Sequence, residues 1–171
     1  MMRKGIPAAA LTVLMCMAMP LTAFASEGTL SQSQEISAVL TADPSYTVTI
    51  PASVAMGNEG TVVDVTAENV ENLPESKKIS VTIAGTDAYR NQMVLEGDTS
   101  PSTSIRYQII SESGETIETT GGKDQANGKE VVAFTGSETK QYTVRPVIEG
   151  RFEYGVAYTG SITFGIQLTD N

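Results

Sequence analysis

The chain has 171 residues, of which 20 are acidic and 11 basic, giving a formal net charge of −9 without any histidine. This excess of acid disfavours partners such as nucleic acid or an anionic membrane, because both are bound through lysine and arginine. With one cysteine and no histidine, the sequence also lacks the usual ligands of transition metals and any possible disulfide within one chain. We therefore expect a single small domain without a cofactor.

Residues 1–25 have the pattern of a cleavable secretory signal peptide. The basic pair Arg3-Lys4 precedes an uncharged run over 6–20, and the small residues of Ala23-Phe24-Ala25 suit signal peptidase. The run is shorter than the roughly 20 apolar residues of a stable membrane span. We predict cleavage after Ala25 and a secreted or cell-surface protein with no membrane segment afterwards. An uncleaved N-terminal anchor is the alternative.

Removing 25 of the 171 residues leaves 146, and the leader takes with it two of the 11 basic residues. Cys16 leaves as well, and lipid modification of Cys16 is disfavoured because bulky Met15 precedes it. The polar residues 26–34 are expected to be a flexible lead-in. Residues 35–171 are expected to form one domain.

Alternation of apolar and polar residues with a period of two dominates the sequence after residue 34. It is clear in Ile79-Ser80-Val81-Thr82-Ile83 and again over 105–109, whereas no long stretch has a helical period. We predict an all-β fold, an antiparallel two-sheet sandwich of immunoglobulin-like or jelly-roll-like type with about nine strands. Ser113-Gly114 predicts a tight hairpin turn. The best candidate for a short helical turn is Glu68–Lys77.

The last predicted strand has the most regular alternation in the sequence. Successive side chains of a strand point to opposite faces. We therefore expect one apolar row to face the core between the sheets, and we expect its partners Ser161, Thr163, Gly165 and Gln167 to face outward. The members of the row are Ile162, Phe164, Ile166 and Leu168.

Three segments carry a resemblance to a known group of proteins: Tyr46–Val54, Val81–Ile83 and Gly155–Phe164. Taken in order over roughly 44–169, they resemble small secreted β-sandwich surface modules of Gram-positive gut bacteria. The ending is also distantly similar to the WxL-type cell-surface domains, although the Trp-x-Leu motif is absent because the chain has no tryptophan. The resemblance implies a β-sandwich at the cell surface, and it implies no particular site residues.

Candidate reactive groups are few, and no catalytic, cofactor-binding or metal-binding residue is predicted. Nucleophilic catalysis would need a Ser–Lys pair, since histidine and a mature cysteine are absent. The candidates for that pair are Ser76 with Lys77 and Ser80 with Lys78, and the candidates for a calcium site are Glu96 and Asp98. An isopeptide bond could join Lys77 or Lys78 to Asn171. Glycoside hydrolysis would need two carboxyl groups, and the candidates are Glu112, Glu115, Glu118, Glu149 and Glu153.

These observations predict a non-enzymatic, adhesin-like extracellular interaction module that binds an unknown protein or glycan. The first alternative is a pilin-like structural subunit, because the alternating segment 35–42 is suited to leave its own domain and pair with a neighbour's sheet edge. The second alternative is a carbohydrate-binding module. Self-association distinguishes the first alternative from a monomeric binding module.

Overall fold

Strand-forming residues dominate the protein, as the alternation predicts. The computed structural model describes residues 37–38, 41–120, 124–149 and 152–171. The predicted signal peptide and lead-in therefore lie outside the described residues, as do residues 35, 36, 39 and 40 of the alternating segment 35–42. The described members of that segment, 37–38 and 41–42, are exposed and form no strand.

The described residues form ten strands and one short 3₁₀ helix, Tyr89–Asn91. Threonine and valine recur along these strands because β-branched side chains fit a pleated, half-buried surface. The strands are β1 (Ser45–Thr49), β2 (Thr61–Glu71), β3 (Lys77–Thr86), β4 (Val94–Gly97), β5 (Ser104–Ile110), β6 (Thr116–Ile117), β7 (Glu130–Phe134), β8 (Glu138–Val147), β9 (Tyr158–Thr159) and β10 (Ile162–Asp170).

Two antiparallel sheets contain these strands, so the predicted all-β class and two-sheet architecture are confirmed. The large sheet has the order β1-β2-β8-β5-β4-β9, with β6 paired to β5, and it curls into a half-barrel. The small sheet has the order β10-β3-β7. Its central strand β3 pairs with both neighbours, whereas β10 and β7 are its two edges.

The core lies between the sheets and is built from the inward residues of both. From β3 it takes Ile79, Val81 and Ile83, which are at most 1% exposed. The remaining buried apolar residues are Val63, Val65, Ala67, Met93, Tyr107, Ile109, Ile117, Ala126, Val131, Val132, Phe134 and Tyr142.

Two local predictions have opposite outcomes. The Ser113-Gly114 turn is confirmed: Gly114 has a φ of +84°, and the Ser111 amide donates to the Glu115 carbonyl at 2.9 Å. The helical turn predicted for Glu68–Lys77 is wrong, because the alternation of β2 continues to Glu71 and Lys77 already begins β3. Five residues, 72–76, are all that joins these strands.

The 72–76 connection marks one end of the sandwich, and the start of β1 and the end of β10 both lie at this end. Ser45, the first residue of β1, pairs with Glu71, and Asp170, the last of β10, pairs with Lys77. The chain therefore enters β1 and leaves β10 at this end. Ile162, the first residue of β10, lies at the opposite end.

Candidate functional site

The apolar row of β10 faces the same side as the buried residues of β3. Across the antiparallel ladder, Ile166 is opposite Val81 and Leu168 is opposite Ile79, and directly opposed side chains lie on one face of a sheet. The predicted register is therefore right, but the predicted burial is only half right. Ile162 and Phe164 pack against the core, whereas Ile166 and Leu168 are 42% and 37% exposed.

The reason is the position of β10 at the edge of the small sheet. Among the described strands β10 pairs with β3 alone, so no described strand pairs with the backbone N–H and C=O groups of its other side. No further described strand lies beside β10 to cover Ile166 and Leu168 on its core-facing side. A long edge strand with exposed apolar side chains is a template on which another strand can pair.

An apolar groove adjoins the upper half of this row. It has a volume of about 600 Å³ and lies between residues 50–56, which follow β1, and residues 160–164, which lead into β10. Phe164 lies in the wall of the groove, and the centroid of the Phe164 ring is 6.0 Å from that of the Tyr142 ring. We call the groove together with the row of Ile162, Phe164, Ile166 and Leu168 the open side of the sandwich.

Two tyrosines of the large sheet form the floor of the groove. Burial, helped by the nearby Asp87 and Tyr142, raises the pKa of Tyr107 to about 12. Burial also raises the pKa of Tyr142 above its ordinary value. A phenol with the ordinary tyrosine pKa of 10.0 is already uncharged at neutral pH, and burial extends this to more alkaline pH, so the groove floor offers uncharged aromatic rings to a ligand.

A second cavity of about 420 Å³ continues from the groove. The two cavities share Val54, Met56, Leu95 and Gly160 in their walls. On the rim of the second cavity the rings of Phe152 and Tyr154 meet edge to face, with centroids 5.2 Å apart. Tyr154 is 84% exposed, so this rim presents a free aromatic surface.

The Ser–Lys pairs do not form a nucleophile and its base. The Ser80 hydroxyl is buried and donates to Glu130 at 2.6 Å, and the Lys78 ammonium donates to the same carboxylate at 3.0 Å. Burial would raise the pKa of Glu130, but these two hydrogen bonds, together with the positive charges of Lys78 and Lys140, outweigh it and lower that pKa. Lys77 donates instead to Asp170 at 2.6 Å.

Most of the five glutamates weighed for glycoside hydrolysis are engaged in separate contacts. Glu112, Glu115 and Glu149 each pair with a different cation, respectively Lys140, Lys129 and Arg106. Glu153 contributes its backbone amide to the Tyr158 hydroxyl at 2.8 Å.

Glu118 lies with Glu149 on a shallow polar cleft of about 550 Å³ that also contains Arg106 and Arg145. The amide of Gln108, oriented to suit both neighbours, accepts from Arg145 at 2.6 Å and donates to Glu118 at 3.3 Å. Arg106 pairs with Glu149 at 2.9 Å, and Gln108 links Arg145 to Glu118.

The residues weighed for a calcium site and for an isopeptide bond are exposed or engaged in other contacts. Glu96 and Asp98 are exposed, and no group of three acidic, histidine or cysteine residues that could hold a metal ion occurs in the described ranges. Asn171 donates its backbone amide to the Ser76 carbonyl at 2.9 Å. The lysines considered for an isopeptide bond, Lys77 and Lys78, are engaged with Asp170 and Glu130.

The comparisons add no family to this description. No protein-family model matches the chain, and neither a curated protein nor a solved structure is significantly similar to it. Of the helices in the part of the chain that the structure describes, none has the length and apolar character to cross a membrane.

Proposed function

We propose that the protein is a non-enzymatic extracellular interaction module that captures an extended polypeptide segment at its open side. The observation that carries this proposal is the exposure of Ile166 and Leu168 on the core-facing side of an edge strand. Resemblance to secreted surface modules and the signal-like residues 1–25 support the extracellular location.

Capture by strand addition follows from the chemistry of the open side. The edge of β10 that no described strand occupies supplies main-chain donors and acceptors along its nine residues, Ile162–Asp170, and such main-chain bonds give affinity to added strands. Side-chain specificity comes from the alternate positions of the added strand, which face the row. One of them meets the groove beside Phe164, and the others cover Ile166 and Leu168.

A binding experiment with matched variants tests the proposal. Immobilised eight-residue peptides, half alternating apolar and polar residues and half with the same residues in scrambled order, are probed with the exported protein. We expect binding to alternating peptides only. Ile166→Lys places a charge in the row and should weaken binding at least tenfold, whereas Gln167→Lys, on the opposite face of the same strand, should change it less than twofold. Equal effects of the two variants, or equal binding to scrambled peptides, contradict strand capture.

A second candidate, a carbohydrate-binding module, is favoured by one separate observation. Phe152 and exposed Tyr154 form an aromatic edge beside the second cavity, and aromatic rings with a polar tip are common contact groups at binding surfaces. A glycan array probed with the parent protein and with Tyr154→Ala tests it. Glycan binding that is lost in Tyr154→Ala but kept in Ile166→Lys supports the carbohydrate function, and an array without any bound glycan refutes it.

A further inference from the structure

We infer that the segment captured at the open side is residues 35–42 of a second copy of this chain, so that copies join head to tail. This inference rests on the proposed function, because it names the ligand of the same site. Residues 35–42 alternate Ile36, Ala38 and Leu40 with Glu35, Ser37 and Val39. Their apolar period of two matches that of the row in β10.

An antiparallel register brings the two patterns together directly. With Ile36 opposite Leu168, Ala38 falls opposite Ile166 and Leu40 falls opposite Phe164, beside the groove. Ile36, Ala38 and Leu40 then lie on the core-facing side of the small sheet, with Ala42 opposite Ile162 on the same side, whereas Val39 lies on the other face. Antiparallel pairs are also commoner and slightly more stable per residue than parallel ones.

The same register cannot form within one chain. It places Ala42 beside Ile162, about 26 Å from the 72–76 end of the sandwich at 3.3 Å for each strand residue. The chain must nevertheless enter β1 at Ser45, at that end. Three peptide units from Ala42 to Ser45 span at most about 11 Å. Residues 35–42 in this antiparallel register therefore come from another molecule.

The connection between the segment and β1 also suits exchange between copies. Residues 41–44 form no turn, and 41–43 are exposed. Pro44 restricts Asp43 to extended conformations. The chain therefore enters β1 in an extended conformation, without the reversal that an intramolecular hairpin would need. Ser37 and Ala38 are exposed in the single copy.

Charge opposes the association of acidic copies only weakly at this contact. The segment 35–42 carries one charged residue, Glu35, and Asp170 at the end of β10 is neutralised by Lys77 at 2.6 Å. Loss of the leader with its two basic residues leaves 9 basic and 20 acidic residues, a net charge of −11, and the long-range repulsion between such copies is screened by salt. Head-to-tail association is therefore expected to strengthen as salt concentration rises.

Disulfide crosslinking between separately prepared variants tests the inference. All variants carry Cys16→Ser, so that engineered cysteines are the only thiols whether or not the leader remains. Ile36→Cys mixed with Leu168→Cys under mild oxidation should yield a covalent heterodimer. Ile36→Cys mixed with Gln167→Cys, whose side chain lies on the other face, should yield at least tenfold less. Equal yields from the two mixtures, or no heterodimer, overturn the inference.

Two further variants separate this inference from the proposed function. Ile36→Cys/Leu168→Cys in one chain should form ladders between chains, and a bond closed within each chain would refute exchange. Ala38→Pro/Val39→Pro removes backbone donors outside the described strands and should abolish self-association while leaving thermal unfolding unchanged. If alternating peptides bind the parent protein but these variants do not behave as stated, strand capture holds and the second copy is the wrong ligand.

Discussion

Comparison of two isoleucines, one in each of two paired strands, gives the sharpest test of the open side. Ile79 in β3 is fully buried, whereas Ile166 in β10 is 42% exposed. Isoleucine to alanine removes three carbons, worth about 0.8 kcal/mol each when fully buried. For Ile79→Ala the loss is therefore about 2.4 kcal/mol plus a cavity contribution, within the usual range of about 2–5 kcal/mol.

Because Ile166 is 42% exposed, only about three-fifths of that transfer energy is lost in Ile166→Ala. Water fills the vacated space, so no cavity contribution is added. We expect a loss of about 1–1.5 kcal/mol. Urea unfolding of dilute protein, where a second copy is unbound, measures both free energies. Equal costs for Ile79→Ala and Ile166→Ala in dilute protein would refute the reasoning, because they would mean that the row is covered within a single chain.

Three other predictions are independent of that comparison. Intact mass of the exported protein should correspond to a chain that begins at Ser26, and a mass retaining Cys16 with an added lipid would contradict cleavage after Ala25. Thermal unfolding of that protein should be unchanged by a chelator or by a reductant, and a large drop with chelator would revive a calcium site near Asp98. Burial raises the pKa of Tyr107 from 10.0 to about 12. The neutral Tyr107 phenol should therefore stabilise the folded state fully below pH 10, and this stabilisation should be lost as the pH rises through about 12. Urea unfolding at pH values across this interval should show a smaller decrease in the free energy of unfolding for Tyr107→Phe than for the parent protein.

The sequence predicts the sheets well because alternation reports which face of a strand is apolar. Ile79, Val81 and Ile83 are buried as expected, and the two-sheet antiparallel architecture is confirmed. Alternation does not report whether an opposing layer extends over that face. The burial of Ile166 and Leu168 was mispredicted for this reason, since it depends on strand order in the small sheet.

The groove could not be predicted from sequence patterns for a related reason. Its two walls, residues 50–56 and 160–164, are more than 100 residues apart in the sequence, and only the tertiary fold brings them together. Neither wall contains a motif of polar or reactive groups. The strongest signal available from sequence was the period of two shared by residues 35–42 and β10, which gave the strand-exchange alternative without its site.

Hydrogen exchange of the β10 amides as a function of protein concentration tests most directly whether the free edge accepts a strand. The amides of β10 that do not bond to β3 should exchange rapidly in dilute protein and become protected as concentration rises. In Ala38→Pro/Val39→Pro they should exchange rapidly at every concentration. Protection of these amides that is already complete in dilute protein, or rapid exchange that persists at high concentration, would contradict capture of a strand from a second copy.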